Sequence, residues 1–441
     1  MWELIVLPAL VGSSLLWGAI QVKRQRRLEK WLRAAKSCGL QVEKGSVWES
    51  RLELKARAGP LEVRIEPFGR NKYGARIVIV VPEPPEFASV KICRARDKPL
   101  WSREIEVGDE SFDRTFYVAG PVRLVRALLD AKVRRLLIRK NAKGGIEIVQ
   151  GELRVETSDR EIRELVPILL KLGHQLAQAQ DTVRLLADHA RRDPEAGVRL
   201  QNLLLLIHEL PEDPRTAVAL RTALADPSPR VRLRAAKELG AEGRDVLLAL
   251  AGSKGDDALS AQAISILGGE LPFEHARSIL ALALDRHRLL TAGACLERLG
   301  HSQDAADVET LAKVMAGEEN ELAVAAALAL GATGNAAAEP PLLLALEKER
   351  KDLQVAAATA LGRAGSAAAV LPLQEAAERS ALHPELRKAA RQAITDIQSR
   401  LSGASPGQLS LATSEAGQLS LAHEVGQLSL AAGAAPVRAE E

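Results

Sequence analysis

The sequence predicts a mostly α chain: an α–α superhelix preceded by a single transmembrane helix and a small α+β domain. Three observations predict it. Six ten-residue blocks align on one another: VRLRAAKELG (231–240), LSAQAISILG (259–268), TAGACLERLG (291–300), LAVAAALALG (322–331), LQVAAATALG (353–362) and LRKAARQAIT (386–395). Their starts lie 28, 32, 31, 31 and 33 residues apart, and a unit that small must stack on its neighbours to bury its apolar face. Residues 4–20, LIVLPALVGSSLLWGAI, carry no charge. Between these two regions the apolar period changes from 3.6 to 2.

Composition narrows the function classes. The 441 residues are 47% apolar and 27% charged, which suits a soluble globular body of two or three domains. Aromatic residues are only 3%, and Ala, Leu and Val dominate. Closely packed helices want that mixture, whereas aromatic-lined pockets and base-stacking platforms do not. A net charge of +3 lacks the field of a dedicated nucleic-acid binder, so nucleic acid is not expected as a partner. Cys38, Cys93 and Cys295 are far apart and odd in number, so they form neither a disulfide framework nor a zinc pattern. Each reads as a small buried hydrophobe in a reducing compartment.

Residues 1–22 are expected to be an uncleaved membrane anchor. Seventeen helical residues rise about 25 Å, a little short of the hydrocarbon core, and Trp2 and Trp17 suit the two interfaces. A signal peptide would place its positive charge before the apolar run, but here only Glu3 precedes it. Lys23, Arg24, Arg26, Arg27 and Lys30 follow it and are the membrane-interface candidates. The positive-inside rule then leaves the bulk of the chain in the cytoplasm, on a single-pass inner-membrane anchor. Residues 23–37 form a basic amphipathic helix with Leu28, Trp31, Leu32 and Ala35 on one stripe. That stripe lies on anionic lipid, or the helix simply continues the anchor.

Residues 38–158 read as the α+β domain. Strand patterns occupy 51–57, 61–66, 75–81, 90–93, 104–107, 115–118, 146–149 and 153–157, interrupted by one helix over 122–140. The segment GDESFDRTFYVAG (108–120) is similar to a turn-and-strand motif of bacterial membrane-anchored proteins. Its Asp109, Glu110 and Asp113 are expected in a solvated turn. Lys132, Arg134, Arg135, Arg139, Lys140 and Lys143 are expected on a solvated helix face.

A connecting and capping helix fills 159–192, and the repeats run over 193–401. The segment VRLQNLLLLI (198–207) begins 33 residues before Val231 and makes a seventh repeat. Asp193-Pro194 and Asp226-Pro227 read as helix caps with Pro at the first turn; Asp256 and Asn320 sit at similar points. The Leu-Gly pairs ending at Gly240, Gly268, Gly300, Gly331 and Gly362 read as a buried side chain followed by a helix stop.

With this register the units resemble HEAT repeats, most of all the short bacterial kind of the phycobilisome-lyase type. The resemblance implies paired helices in a superhelix that holds other proteins in its groove. Val198-Arg199 and Val231-Arg232 carry the Val-Arg of such repeats; later units lack it, which puts a regular charged ladder in question. Some relatives act on bilins, and that role would fall to Cys295, which stands in an apolar register. Among the eight histidines there is no HxxxH or HExxH pair, and no Walker loop or GxSxG occurs, so no catalytic residue, metal site or cofactor is expected.

The tail, 402–441, is expected to be disordered, with GQLSLA three times. QLSL is similar to the bacterial sliding-clamp-binding peptide, whose matching positions are Gln408, Leu409 and Leu411, Gln418, Leu419 and Leu421, and Gln427, Leu428 and Leu430. Ala412, Ala422 and Ala431 replace the preferred Phe, at a cost of about 2–3 kcal/mol. Taken together, the expectation is a non-enzymatic, membrane-anchored adaptor for protein partners. The alternatives are a bilin-lyase-like enzyme or chaperone, and a clamp-associated factor recruited by the tail.

Overall fold

The computed structural model describes residues 3–46, 52–68, 74–82, 89–97, 104–140, 145–379, 383–400, 409–411 and 419–421; side chains are described from residue 18, except Ser46, Lys140 and those of the last two segments. The chain is mostly helical with a small antiparallel sheet. It divides into two compact units, Met1–Leu239 and Gly240–Glu441.

The first unit begins with α1 (Glu3–Ser37), followed by β1 (Gln41–Ser46), β2 (Glu53–Ala58), β3 (Leu61–Pro67), β4 (Gly74–Val80) and β5 (Ser89–Arg94). Next come α2 (Glu110–Asp113), β6 (Phe116–Ala119), α3 (Val122–Leu128), α4 (Ala131–Lys140), β7 (Ile146–Val149), β8 (Glu152–Ser158) and α5 (Ile162–Gln178). The strands form one sheet in the order β1-β2-β3-β4-β8-β7-β5-β6, antiparallel at every pairing. Gln150 and Gly151, at φ 51° and 81°, make the tight β7–β8 turn that needs two left-handed residues.

Strand alternation splits this sheet into two chemistries. Leu54, Leu61, Val63, Ile65, Ile77 and Val155 are buried beneath helices α1 and α5. Gly173 of α5 lies so near β3 that a Cβ there would come within 2.9 Å of Leu61. The other face pairs its charges across strands: Arg64 with Glu152, Arg76 with Glu66 and Glu156, and Lys91 with Glu147. Such cross-strand pairs keep a solvated face soluble without recruiting a partner.

Several expectations need correction here. β1 went unread, because QVEKGS has only one strong β-former. Residues 104–107 form no strand, although the Ile105 amide donates to Val118. The helix expected over 122–140 breaks at Leu129 (ψ 61°), and Asp130 restarts it by accepting from the Val133 amide. The stripe Leu28, Trp31 and Ala35 is buried on the sheet, not offered to lipid, and α1 is one continuous helix through residue 37. The single connecting helix is two, α5 and α6 (Thr182–Arg192), and α5 belongs to the core of the sheet.

α7 (Ala196–Glu209), α8 (Pro214–Ala223) and α9 (Pro229–Leu239) complete the first unit. The second unit contains α10 (Arg244–Ala251), α11 (Asp257–Leu267), α12 (Phe273–Asp285), α13 (Leu289–Leu299), α14 (Ala305–Met315), α15 (Asn320–Thr333), α16 (Glu339–Leu346), α17 (Lys351–Ala364), α18 (Val370–Arg379) and α19 (Pro384–Arg400). Consecutive helices pair from α10–α11 to α18–α19, and each second helix packs on the next, α11 to α13 and so on to α19. This architecture is compatible with a solenoid.

The repeated glycines do two different jobs. Gly240 and Gly268 take positive φ, 53° and 48°, where the helices end. Gly331 and Gly362 instead lie inside α15 and α17, and Gly300 caps α13 in a right-handed conformation. A Cβ on Gly331 would lie 2.5 Å from Ala360 Cα, one on Gly300 3.0 Å from Ala329 Cα, and one on Gly362 3.1 Å from Ala393 Cα. In these three units the glycine is therefore a contact surface more than a stop signal.

In the tail expected to be disordered, β9 (Leu409–Leu411) and β10 (Leu419–Leu421) pair antiparallel, and its other residues lie outside the described ones.

Candidate functional site

Helix α1 carries the membrane-interface candidates. Lys23, Arg26 and Lys30 are exposed, and Arg24 is half-buried. Arg27 turns inward: Nε and Nη2 donate to the two Asp159 carboxylate oxygens at 2.6 and 2.9 Å, and Nη2 also reaches the Gly74 carbonyl. Trp31, fully buried, donates Nε1–H to the same carboxylate at 2.9 Å, with the Arg27 guanidinium 4.8 Å from its ring centre. This clasp ties α1 to the β8–α5 turn. Residues 3–17 are helical in backbone, and their side chains, most of the proposed span, lie outside the described residues. Among the described residues no helix is long and apolar enough to cross a membrane.

The second feature is a buried chain of charge between the sheet domain and the first repeat. Arg134, 1% exposed, donates Nε to Asp109 at 2.8 Å and Nη2 to Asp193 at 2.8 Å. Asp109 also caps α2 through the Phe112 amide, and Asp113 accepts from the amides of Val107 and Gly108. Asp109 and Arg134 are therefore buried where a solvated turn and helix face were expected, whereas Glu110, Lys132, Arg135 and Arg139 are exposed. The Arg134 guanidinium and these donors hold the Asp109 carboxyl below its ordinary range, while burial pushes Asp113 up.

The same pattern repeats one unit later. Arg199 donates twice to Asp226, at 2.7 Å each, and once to the Asp193 carbonyl. Arg232 donates to the Asp226 carbonyl at 2.7 Å. The Asp-Pro pairs are thus junction acceptors and not helix caps, since α9 begins only at Pro229. Arg199 reaches from its own loop to the next, Arg232 donates within its own loop, and Arg134 links Asp193 to the sheet domain. His189, half-buried, has Nδ1 3.0 Å from the Arg126 carbonyl, and burial lowers its pKa. Gly108 and Gly197 meet backbone to backbone at this seam.

In the second unit, polar side chains stitch one hairpin to the next. Asp257 accepts from the Leu290 and Thr291 amides and caps α13 from the preceding repeat. Arg277 grips buried Asp307 at 2.6 and 2.9 Å, and Arg350 donates to the Gly317 carbonyl and to Asn320. Asp256 does cap α11; Asn320 opens α15 as its first residue, with Glu319 at the cap. On the second helices, Ala261, Gly293, Val324 and Val355 share one register and are half-buried, with Leu290 and Leu328 exposed nearby. Cys295 is fully buried, and burial pushes its thiol up to about 12. Among the described residues no three His, Cys, Asp or Glu could hold a metal ion.

Of the tail positions, Leu409, Leu411, Leu419 and Leu421 are the ends of β9 and β10, with Leu419 opposite Leu411; Gln408, Gln418, Gln427, Leu428 and Leu430 lie outside the described residues.

No protein-family model matches this chain. No curated protein matches it either. Among solved structures it is similar to human deoxyhypusine hydroxylase in complex with glycerol, at 16% identity over 50% of this chain and 98% of that one, with a TM-score of 0.21. At that score the fold rests on the helices themselves.

Sequence reading missed Arg134, Asp109 and Arg27 as structural residues. The signal available was the Arg of Val-Arg, which implies an acceptor; nothing local marks Arg134 as its counterpart outside the repeats.

Proposed function

We propose that this chain is a non-enzymatic adaptor, held at the inner face of the cytoplasmic membrane by residues 4–20, whose HEAT-like repeats bind a protein partner. The observation that carries the reading is the low, uncharged strip Ala261, Gly293, Val324 and Val355 on successive second helices, bordered by exposed Leu290 and Leu328. A partner helix or extended segment can approach such short apolar side chains closely, and the leucines supply further apolar area to bury. The anchor is supported by an uncharged run followed by exposed Lys23, Arg26 and Lys30 on the same helix.

The enzyme reading has little to work with. A bilin-attaching cysteine acts as a thiolate, and Cys295 has neither exposure nor a lowered pKa.

Proximity labelling in cells tests the adaptor. The L290E/L328E variant should lose neighbours that the parent chain labels, while an unchanged set would count heavily against the docking face. Membrane retention through alkaline carbonate washing should depend on residues 4–20.

A further inference from the structure

Charge is divided unequally along the chain. Through Leu239 there are 43 Lys and Arg against 31 Asp and Glu, a net of +12; from Gly240 onward there are 17 against 26, a net of −9. Among the described residues of the first unit, the two sides of the sheet domain differ in how their cations are paired. On the open sheet face Arg64, Arg76 and Lys91 each have a carboxylate partner. The helices on the other face differ. Lys132, Arg135 and Arg139 are exposed on α4 at a spacing that aligns them along one side. Arg160 and Arg163 are exposed at the start of α5, and Lys30 and Arg33 on α1. None of these seven has a carboxylate partner among the described residues. Both α1 and α4 pack beside α5.

Packing does not require these cations, since the inward sides of the helices are filled by Trp31, Val133, Leu137 and Leu169. An array of unpartnered cations in one layer is strongly positive and falls in energy on meeting negative charge. We propose that the outer face of the α1–α5–α4 layer docks on anionic phospholipid headgroups, so that the domain leans on the bilayer. This rests on the membrane-anchor reading, because α1 is the helix that continues the apolar run. A lipid surface is favoured over nucleic acid because no exposed aromatic residue accompanies these cations among the described residues, and over a discrete protein partner because the cations are spread over three helices.

The test uses the full chain reconstituted in vesicles, with a donor dye on A131C and an acceptor lipid. Neutral phosphatidylcholine vesicles are compared with vesicles holding about 30 mol% phosphatidylglycerol. Energy transfer should rise about twofold on the anionic vesicles at low salt and return to the neutral level at about 0.5 M salt. The K132E/R135E/R139E variant should show no rise; its substitutions are on exposed positions, and unchanged circular dichroism would confirm that it folds. Transfer that ignores lipid charge, or that rises equally in the variant, overturns the proposal. So does an indifferent lipid response combined with RNA or an acidic protein that co-purifies with the parent and not the variant. Flotation with neutral vesicles at high salt reports residues 4–20 alone. If it fails, the anchor falls, and the basic face is judged from salt-sensitive flotation with anionic vesicles.

Discussion

Where α7 meets the sheet domain, Arg134, Asp109 and Asp193 are buried together, with the Arg199–Asp226 pair one repeat beyond. Where α15 meets α17, the corresponding contact is Gly331 against Ala360. Joining unlike elements leaves gaps and free carbonyls that long, multivalent arginine side chains can fill. Joining like elements in the second unit relies on a repeated small residue, with polar stitches beside it: Asp257 caps α13, and Arg277 holds the buried Asp307. A buried ion pair is costly to desolvate, so the seam gains specificity of docking more than net stability.

The largest effects should separate the two kinds of joint. Asp193→Ala leaves Arg134 buried with half its partners and should cost about 3–5 kcal/mol in urea unfolding. Trp31→Ala should cost a similar amount, about 3–5 kcal/mol, by emptying the core under α1. If both are mild, the seam is not a closed interior. Next in size, Gly331→Ala forces a Cβ into Ala360 and should cost about 1–3 kcal/mol, read from the melting of the second unit. Gly240→Ala meets open space and bears only its positive φ, so about 1–2 kcal/mol is expected.

A smaller effect distinguishes the units by pH. Burial lowers the folded pKa of His189 from 6.5. Above that value neither state holds the proton; below it the unfolded chain binds one that the folded chain refuses, so stability falls with acidification. The first unit should therefore lose urea midpoint as pH falls below 6.5, and His189→Gln should flatten that slope. Asp257 and Asp307 in the second unit have lowered pKa values, so their contribution is lost only as pH falls below 3.8. Finally, Cys295 should stay unreactive to a thiol reagent at neutral pH until the chain unfolds, whereas prompt labelling would show the repeat open at that point.

Much of the fold could be read from the chain. Seven of the eight strands in the large sheet, every second helix and the pairing of helices follow from apolar periods. The misreadings share a cause. Asp109 looks like part of a solvated turn because its buried partner Arg134 is 25 residues away. Asp226 before Pro looks like a cap until Arg199, 27 residues earlier, claims it. The stripe Leu28, Trp31, Ala35 has the spacing of a lipid-facing helix and of a sheet-facing one alike.

Period and composition alone determined that this protein stacks Ala/Leu helices behind a strand-rich module, because burial of apolar faces is a local, repeating demand. Tertiary structure decided where the charges went. Whether Arg27 meets lipid or Asp159, and whether a glycine ends a helix or admits its neighbour, depends on groups that are distant in sequence and become close only on folding.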